Sequence, residues 1–530
     1  MRLGVDFGTT RIVVAAVDRG NYPVVTFDSP DGESWDGFPS LIASRRDEAL
    51  FGFEAWQAQS LPGTTVVRSI KRFLQQAGPD TQVDIGGREF RMLDLLSGLT
   101  AAFRRALTEA SSAGVKPGEK IEILLSVPAN ANGNQRFLTV EAFRLAGFEV
   151  LGLLNEPSAA SIEYGHAARA KGASTRDTVV VYDLGGGTFD ASLVEMDSQS
   201  HEVIASEGIP ALGGDDFDEI LAELALDAAG VAHADRDRLS QAEMFRLYEE
   251  CRLKKESIRP ATRRVTIELD TVREGWTEAA VPVSDFYARC QTLIDETLNA
   301  TQDLVAGLEG DFEGVYVVGG ASELPLVTRA LKERFGRRVK RTAYPRSATA
   351  IGLAIQADSR AGYVLREKFT RNFGVWREAE GGRTMVFDPL FLKGTPLPGS
   401  GEPPLRVSRS YYPAHNIGHF RYLECSHTSS GRPSGDEMLW DEIYFPFDES
   451  LRELAALESR PVHRLEGNAH QECREDYACD SSGSVTVTIS NVSAGYERDY
   501  RLGRWSVKQP PIIPAKKKRT AKAAAASKKS

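Results

Sequence analysis

The chain has 530 residues, of which 42% are hydrophobic and 26% are charged, the balance of an ordinary globular protein. This length exceeds what one hydrophobic core supports, so we expect two or three domains. With 64 basic and 74 acidic residues the formal net charge is −10, which excludes nucleic-acid binding through overall charge. No apolar run approaches the roughly 20 residues of a membrane span. Asp6 interrupts any signal-peptide core, so we expect a cytoplasmic protein.

The five cysteines carry no disulfide signature. No two of them form a C-x-x-C pair, and an odd, sparse set argues against a disulfide framework. Cys473 and Cys479 lie near His463 and His470 in the sequence, but their spacing matches no common zinc pattern. We therefore interpret the cysteines as free thiols in a reducing compartment.

The first predicted element is a strand–turn–strand unit that carries an aspartate beside a glycine. Leu3-Gly-Val-Asp6 is a short strand, Phe7-Gly8-Thr9-Thr10 is a turn, and Ile12-Val-Val-Ala-Ala-Val17 is the returning strand. A glycine turn lets backbone N–H groups approach an anion, because no Cβ stands in the way. A carboxylate at the same turn repels phosphate unless a cation lies between them, and Mg²⁺ prefers oxygen ligands and water.

The same unit recurs in the middle of the chain. The β-branched run Thr178-Val-Val-Val-Tyr182 leads into Asp183-Leu-Gly-Gly-Gly-Thr-Phe-Asp190, and the apolar run Ala191-Ser-Leu-Val-Glu-Met196 follows. A third glycine turn, Gly319-Gly-Ala-Ser322, follows the strand Gly314-Val-Tyr-Val-Val318. Two hairpins of the same kind predict two related halves that face one phosphate chain.

The other elements of the first 362 residues alternate between helix and strand. Apolar positions at helical spacing predict the helices, and short apolar runs predict the strands. We expect the strand at 150–154 to deliver Glu156 to the floor of a cleft between the two halves. The predicted helices are 92–113, 241–258, 281–308 and 347–362, and the predicted strands are 121–127 and 150–154.

Further segments point to one protein family. Asn155-Glu-Pro-Ser-Ala-Ala160 resembles the Asn-Glu-Pro-Thr-Ala-Ala segment of the heat shock protein 70 chaperones. Ser69-Ile-Lys71-Arg72-Phe73 resembles the segment that carries their catalytic lysine, and Leu212-Gly-Gly-Asp-Asp-Phe-Asp218 resembles another at the start of a helix. The three glycine turns resemble the two phosphate loops and the adenosine loop of the actin-like ATPase superfamily. The resemblance covers residues 1–362 well and the C-terminal region more weakly.

The resemblance implies an α/β fold in which residues 1–362 form a two-lobed actin-like ATPase domain that binds ATP and Mg²⁺. In this reading Lys71 lies near the γ-phosphate, and Asp6 and Asp183 hold the metal through water. The residues expected to carry the chemistry are Lys71, Glu156, Asp6, Asp183, Asp190 and Thr188. The residues expected to bind the nucleotide are Gly8, Thr9, Thr10, Arg11, Gly185, Gly186, Gly187, Gly214, Asp215, Lys254, Lys255, Gly319, Gly320 and Ala321.

Departures from the family pattern surround the expected purine. Arg11 replaces a tyrosine, Ala321 a serine and Arg346 an aspartate. On the helix at 241–258 the family's lysine and arginine fall at Lys254 and Lys255, which a solvated basic helix face would also explain. We expect an altered base pocket, and its base selectivity stays open.

Residues 363–506 change character, because prolines, glycines, aromatics and short β-like runs replace the strand–helix alternation. Their spacing predicts an all-β sandwich, and the hairpins at 388–398 and 477–488 resemble the family's substrate domain. The family's apolar linker is reduced to Tyr363-Val-Leu365, so we expect it to dock poorly between the lobes. No helical lid is predicted, and the Lys- and Ala-rich residues 507–530 predict a disordered tail that contacts anionic surfaces weakly.

The sequence therefore predicts an ATP-dependent chaperone that couples ATP binding and hydrolysis to the binding of unfolded peptide or a protein client, with co-chaperones as further partners. Two alternatives stay open. The missing lid and reduced linker also fit an ATP-switched scaffold that binds one partner. The superfamily also contains small-molecule kinases, but the sequence shows no dedicated aspartate base at a sugar site.

Overall fold

The computed structural model describes residues 1–46, 48–59, 61–170, 176–197, 199–306, 312–380, 383–399, 401–429, 431–454, 456–465 and 471–502. The tail predicted at 507–530 lies outside the described residues, so its disorder and its contact with anionic surfaces stay predictions. Within the described ranges, no helix is both long enough and apolar enough to cross a membrane. The five cysteines are free and buried, which confirms their interpretation as thiols.

The first lobe surrounds a mixed sheet with the strand order β12-β11-β1-β2-β5. Its strands are β1 (Arg2–Phe7), β2 (Arg11–Ala16), β3 (Phe27–Asp28), β4 (Ser34–Trp35), β5 (Phe38–Pro39), β6 (Ile42–Arg45), β7 (Glu48–Phe51), β8 (Thr65–Val67), β9 (Gln82–Asp84), β10 (Glu89–Arg91), β11 (Glu122–Val127) and β12 (Glu149–Asn155). Its helices are α1 (Phe53–Ala58), α2 (Met92–Glu109), α3 (Gly133–Leu145) and α4 (Glu156–Ala170).

The second lobe surrounds a sheet with the order β19-β18-β13-β14-β15-β20. The helix predicted at 281–308 begins later than expected, because residues 279–282 pair as a strand. The helix predicted at 347–362 ends earlier than expected, because the chain turns at Asp358. The strands are β13 (Arg176–Leu184), β14 (Phe189–Asp197), β15 (Ser200–Ile209), β16 (Arg264–Ile267), β17 (Ala279–Pro282), β18 (Gly314–Val318), β19 (Val339–Arg341) and β20 (Val364–Arg366). The helices are α5 (Gly214–Ala228), α6 (His233–Arg236), α7 (Gln241–Glu256), α8 (Val283–Val305), α9 (Pro325–Phe335) and α10 (Ala348–Ala357).

The two sheets repeat one topology. In the first lobe β1 pairs antiparallel with β2 and parallel with β11, which continues to β12. In the second lobe β13 pairs antiparallel with β14 and parallel with β18, which continues to β19. The central strands are almost wholly buried, as expected for strands covered by helices on both faces. The predicted pair of related halves is thereby confirmed.

Helices α4 and α10 pack closely where the lobes meet. A Cβ at Gly352 would overlap the carbonyl of Ala159, and a Cβ at Gly4 would overlap the carbonyl of Ala350. Glycine at these two points lets α10 approach both α4 and strand β1 with no side chain between them. The buried side chains around this crossing form a continuous apolar core that joins the two sheets.

The third region consists of two four-stranded sheets, ordered β22-β21-β24-β25 and β23-β26-β27-β28. Phe373, Tyr422 and Trp440 of the first sheet pack in one core with Tyr477 and Val487 of the second. The predicted β-sandwich is confirmed. Its strands are β21 (Asn372–Ala379), β22 (Thr384–Phe391), β23 (Leu405–Tyr411), β24 (Ile417–Ser429), β25 (Arg432–Pro446), β26 (Cys473–Cys479), β27 (Val485–Asn491) and β28 (Tyr496–Arg501).

The linker is docked, and the expectation of poor docking is wrong. Strand β20 extends the sheet of the second lobe by pairing parallel with residues 200–202 of β15. Leu365 is 9% exposed and packs in the core between the lobes. Glu367 is buried and accepts hydrogen bonds from the backbone N–H of Asn155, at 2.8 Å, and from its side-chain amide. Backbone pairing, one leucine and one buried carboxylate thus replace the family's run of leucines.

The β-sandwich rests on the start of α3 in the first lobe. The backbone N–H of Gly133 donates to Oε2 of Glu424 at 2.9 Å, and a Cβ at Gly133 would overlap the indole of Trp440. Arg501 pairs with Glu141 at 3.1 Å on the same helix. The sandwich therefore caps one of the N–H groups that a helix N-terminus leaves without an intrahelical partner.

We predict that His201 makes stability depend on pH. This residue of β15 is buried beside Tyr363, its Nδ1 lies 3.0 Å from Oγ of Ser161, and burial lowers the pKa of His201 to about 4. The unfolded chain takes up a proton near pH 6.5 and the folded protein does not, so stability is lost as the pH falls through this window. Relative to His201→Gln, the wild-type free energy of unfolding should fall by about 3 kcal/mol between pH 7 and pH 4.

Urea unfolding of both proteins at each pH measures the difference. His233 is exposed, and His233→Gln is the matched control, which should follow the wild type throughout. A constant difference between wild type and His201→Gln would contradict the prediction.

Candidate nucleotide site between the two lobes

Each hairpin brings one aspartate and one glycine turn to the gap between the lobes. Asp6 lies near the end of β1, and Asp183 lies near the end of β13, where it pairs across the hairpin with Asp190. The two turns meet so closely that a Cβ at Gly186 would lie 2.9 Å from Oγ1 of Thr9. Glycine at this position therefore leaves room for the threonine side chains of the first turn to pack against the backbone of the second.

Four carboxylates and one ammonium group lie at the centre of this cleft, where Lys71, Glu156 and Asp190 are buried and Asp6 and Asp183 are partly exposed. Lys71 is 4% exposed, and its Nζ lies 2.5 Å from Oε1 of Glu156. Burial raises the pKa of the carboxyls of Asp6, Glu156 and Asp183 above their usual values. It also raises the pKa of Asp190 to about 7, although the charge of Lys71 acts in the opposite direction. The positive charge of Lys71 therefore offsets only part of the cost of placing these carboxylates together out of water.

This donor set fits a divalent cation held through water. Among the described residues, no three His, Cys, Asp or Glu side chains form a compact set of ligands. Mg²⁺ commonly keeps several waters and takes only one or two carboxylates together with substrate phosphates. The excess of buried carboxylate over ammonium provides the charge that such an ion would balance.

Arginines of the first lobe reach across the cleft to the start of α5. Nη2 of Arg68 lies 3.1 Å from Oδ2 of Asp218 and 3.3 Å from Oδ1 of Asp215. Nη2 of Arg72 lies 2.8 Å from Oδ2 of Asp216. These pairs are not among the sequence predictions, although acids in the first turn of a helix indicate a site that attracts positive charge. Their partners lie about 150 residues away, so only the packed lobes reveal them.

Lys255 lines the cleft, as expected. Its Nζ donates to the carbonyl oxygen of Gly214 at 2.6 Å and pairs with Oδ1 of Asp218 at 2.7 Å. The side chain of Asp218 is 1% exposed, so this pair is a buried one. Lys255 therefore ties α7 to the first turn of α5 beside the second phosphate turn.

The structure does not bring Lys254, which the sequence predicts to bind the nucleotide, to this cleft. Its side chain lies outside the cleft and pairs with Glu268 at 3.1 Å. Successive residues of an α-helix point about 100° apart, and Arg252, Lys255 and Glu256 carry the face toward the cleft, which leaves Lys254 on another face. Residues three and four positions apart do share a face, and Arg252, Lys255 and Glu256 line the cleft together. Arg252 and Glu256 are not among the predicted site residues, because the local sequence pattern does not show which face of this helix turns toward the cleft.

Charged side chains also line the end of the cleft away from the phosphate turns. Nη1 of Arg11 lies 2.5 Å from Oδ1 of Asp36, and the guanidinium lies 5.3 Å from the ring centre of Trp35. Gly319 has φ +85°, a conformation that favours glycine, and starts the third turn. The cleft has a cavity volume of ≈ 160 Å³.

The structure brings most of the predicted site residues to this one cleft. Asp190 and Gly187 lie behind its surface, where Asp190 is 3% exposed and the carbonyl of Gly187 accepts a hydrogen bond from Nε of Arg72 at 2.9 Å. The predicted residues that line the cleft are Asp6, Gly8, Thr9, Thr10, Arg11, Lys71, Glu156, Asp183, Gly185, Gly186, Thr188, Gly214, Asp215, Lys255, Gly319, Gly320 and Ala321.

Comparison with known proteins identifies one family that matches this chain. A family model described as Hsp70 protein matches residues 97–369. The Chaperone protein HscA homolog of Chromobacterium violaceum is 34% identical over 415 residues, which cover 73% of this chain and 64% of that protein. The chain belongs to the Hsp70 family. The Chaperone protein HscA of Salmonella typhimurium is 33% identical to this Hsp70-family chain, over 67% of it and 57% of the relative. The matches span less than two thirds of either relative.

We predict that the two neighbouring lysines of α7 differ sharply in their effect on stability. Lys255→Met removes one partner of the buried Asp218 and should lower the free energy of unfolding by about 3 kcal/mol. Lys254→Met removes only partly exposed ion pairs and should change it by less than about 1 kcal/mol. Urea unfolding without nucleotide measures both variants. Equal losses would mean that the assigned rotation of the helix is wrong.

Proposed function

We propose that this protein is a cytoplasmic ATP-dependent chaperone, which binds and hydrolyses ATP in the cleft and binds unfolded peptide or a protein client through the β-sandwich. One observation carries the ATPase part: two glycine turns from related hairpins meet over a group of carboxylates that surrounds the buried Lys71. The curated relatives are named as chaperones, which supports the second part. Co-chaperones are the further partners that this function implies.

The phosphates are held by backbone groups in this proposal. The turns at 8–10 and 185–187 offer N–H groups with little side chain between them, and α5 begins beside them at Gly214. A helix N-terminus and consecutive turn amides both favour an anion. Asp6 and Asp183 would hold Mg²⁺ through water, and the ion when bound would neutralise charge on the phosphates.

Lys71 supplies a fixed positive charge for hydrolysis. Its pair with Glu156 and its burial leave the ammonium group little freedom, so the charge is already in place before the reaction. A preorganised charge in a site that excludes water stabilises developing negative charge more than a mobile one in solvent does. Thr188 lines the same space, and Asp190 lies directly behind it, so that the two would complete the hydrogen-bond network around the attacking water.

A short path connects this site to the linker. Glu156 pairs with Lys71, and the preceding residue, Asn155, holds Glu367 at the end of β20. Nη2 of Arg136 donates to Oδ1 of Asn155 at 2.6 Å, on the helix whose start carries the β-sandwich. A shift of Glu156 with the state of the phosphates would therefore move groups that contact both the linker and α3. This path supports coupling between nucleotide and client, which is reciprocal by thermodynamics.

A second candidate function, a nucleotide-switched scaffold for one partner, is favoured by the interior of the β-sandwich. Arg377 makes a bidentate pair with the buried Glu475, at 2.8 and 2.9 Å, and also pairs with Asp388. Arg409 binds the same aspartate from β23. Such a charged network is costly to bury and fixes how the two sheets pack. A rigid sandwich adapts poorly to varied peptides, which favours the binding of one defined partner. Binding assays with a set of unrelated peptides separate the two functions, because a scaffold binds none of them.

We predict that Lys71→Ala slows hydrolysis by ~10²-fold or more and changes ATP affinity by less than ~10-fold, because it removes the fixed charge but leaves the phosphate turns intact. Single-turnover hydrolysis and equilibrium ATP binding measure the two effects. Lys116 is exposed on the first lobe, and Lys116→Ala is the control. Hydrolysis at the wild-type rate in Lys71→Ala would remove this residue from the mechanism.

We predict that Glu367→Ala releases the linker. The variant loses both hydrogen bonds to Asn155, so the amides of β20 should exchange hydrogen about 10-fold faster in the presence of ATP. Hydrogen exchange read by mass spectrometry on peptides that contain residues 364–366 measures the effect. Glu380→Ala, an exposed residue of the β-sandwich, is the control and should exchange like the wild type. Unchanged protection in Glu367→Ala would exclude this carboxylate as the attachment.

A further inference from the structure

The phosphate turns fix which end of the cleft must take a nucleobase. Gly8–Thr10 and 185–187 form one end, so the sugar and base of a bound nucleotide extend toward the other. That far end is lined by Glu256, Arg346 and the third glycine turn, with Arg11 on the opposite lobe.

Arg346 is held in place from two sides. Its Nη1 lies 3.1 Å from Oε2 of Glu256, and its Nε lies 2.6 Å from Oε2 of Glu323. Glu256 is itself held, because its Oε1 lies 3.1 Å from Nη1 of Arg252. The guanidinium therefore has a fixed plane. The side chain lines the cleft and is 36% exposed.

A guanidinium fixed in this way can support a base but reads little of its edge. The Nε and Nη1 donors lie in the plane of the group and point at the two carboxylates, so the flat faces remain for stacking. Stacking on a cation depends on the π-face, which every base has, and tolerates a change of base. The neighbouring Gly320 and Ala321 contribute no side-chain donor or acceptor.

The space beyond Arg346 also fails to select a base by shape. A second cavity of ≈ 760 Å³ adjoins the cleft there, and Lys255, Glu256, Gly320, Ala321 and Arg346 line both. A purine seated on Arg346 would lie beside this second cavity, so we expect room for either an amino or a carbonyl group on its ring.

We propose that this protein accepts adenine and guanine nucleotides with similar affinity, and that Arg346 is the stacking platform for both. The proposal rests on the proposed function, because it assumes that the cleft binds a nucleoside phosphate. It assigns base tolerance to three features: the fixed guanidinium, the stretch of wall at Gly320 and Ala321 that has no side-chain donor or acceptor, and the adjoining cavity.

Calorimetric titration of the full chain with Mg²⁺ and either ADP or GDP tests this directly. We expect the two dissociation constants to differ by less than 10-fold. Arg346→Ala should weaken both by about 10-fold, and Arg346→Lys should weaken both nearly as much, because lysine keeps the charge but loses the plane. Lys254→Met, outside the cleft, is the matched control and should bind both like the wild type.

The possible outcomes distinguish failure of base tolerance from failure of nucleotide binding in the cleft. ADP binding with GDP more than 10-fold weaker would overturn base tolerance and leave the ATPase proposal intact. Loss of affinity for only one nucleotide in Arg346→Ala, or for neither, would overturn the role of Arg346. Failure of the wild type to bind either nucleotide would overturn the proposed function itself.

Discussion

The convergence of four carboxylates on one buried lysine is the constraint on which the rest of this structure depends. Asp6 and Asp183 come from the two hairpins, and Glu156 and Asp190 complete the group, so the charges converge only when both lobes are assembled. Their raised pKa values show that Lys71 offsets only part of the cost of burial. A cleft built in this way gains stability from any cation and phosphate that it encloses, because ligand binding to the folded state alone shifts the folding equilibrium.

The same need for charge balance joins the lobes outside the phosphate site. Arg68 and Arg72 extend from the first lobe to the acids that begin α5, and Lys255 reaches them from α7. Breaking one of these buried pairs leaves a carboxylate without its partner, which is more costly than never having buried the pair. The closed cleft is therefore stabilised by contacts that opening of the lobes must break together.

The β-sandwich and linker are placed by a few polar contacts at points where the backbone comes close. Glu424 caps Gly133 at the start of α3, and Glu367 binds Asn155 beside the cleft. Each contact joins a carboxylate to a backbone N–H, so it depends on position more than on the surrounding apolar surface. This explains how a linker with a single buried leucine can dock, and why neighbouring changes in the cleft can reach it.

The sequence by itself determined the two hairpins, the convergence of Asp6 and Asp183 on one cleft, the place of Lys71 and the β-sandwich, because period, glycine turns and recurring motifs are local signals. The tertiary structure decided the rest. Adjacent lysines on α7 have the same local pattern, and only packing against α5 selects Lys255 over Lys254. The pairing of β20 follows from a free sheet edge, which linker composition does not encode, and the position of Arg346 follows from carboxylates 23 and 90 residues away in the chain.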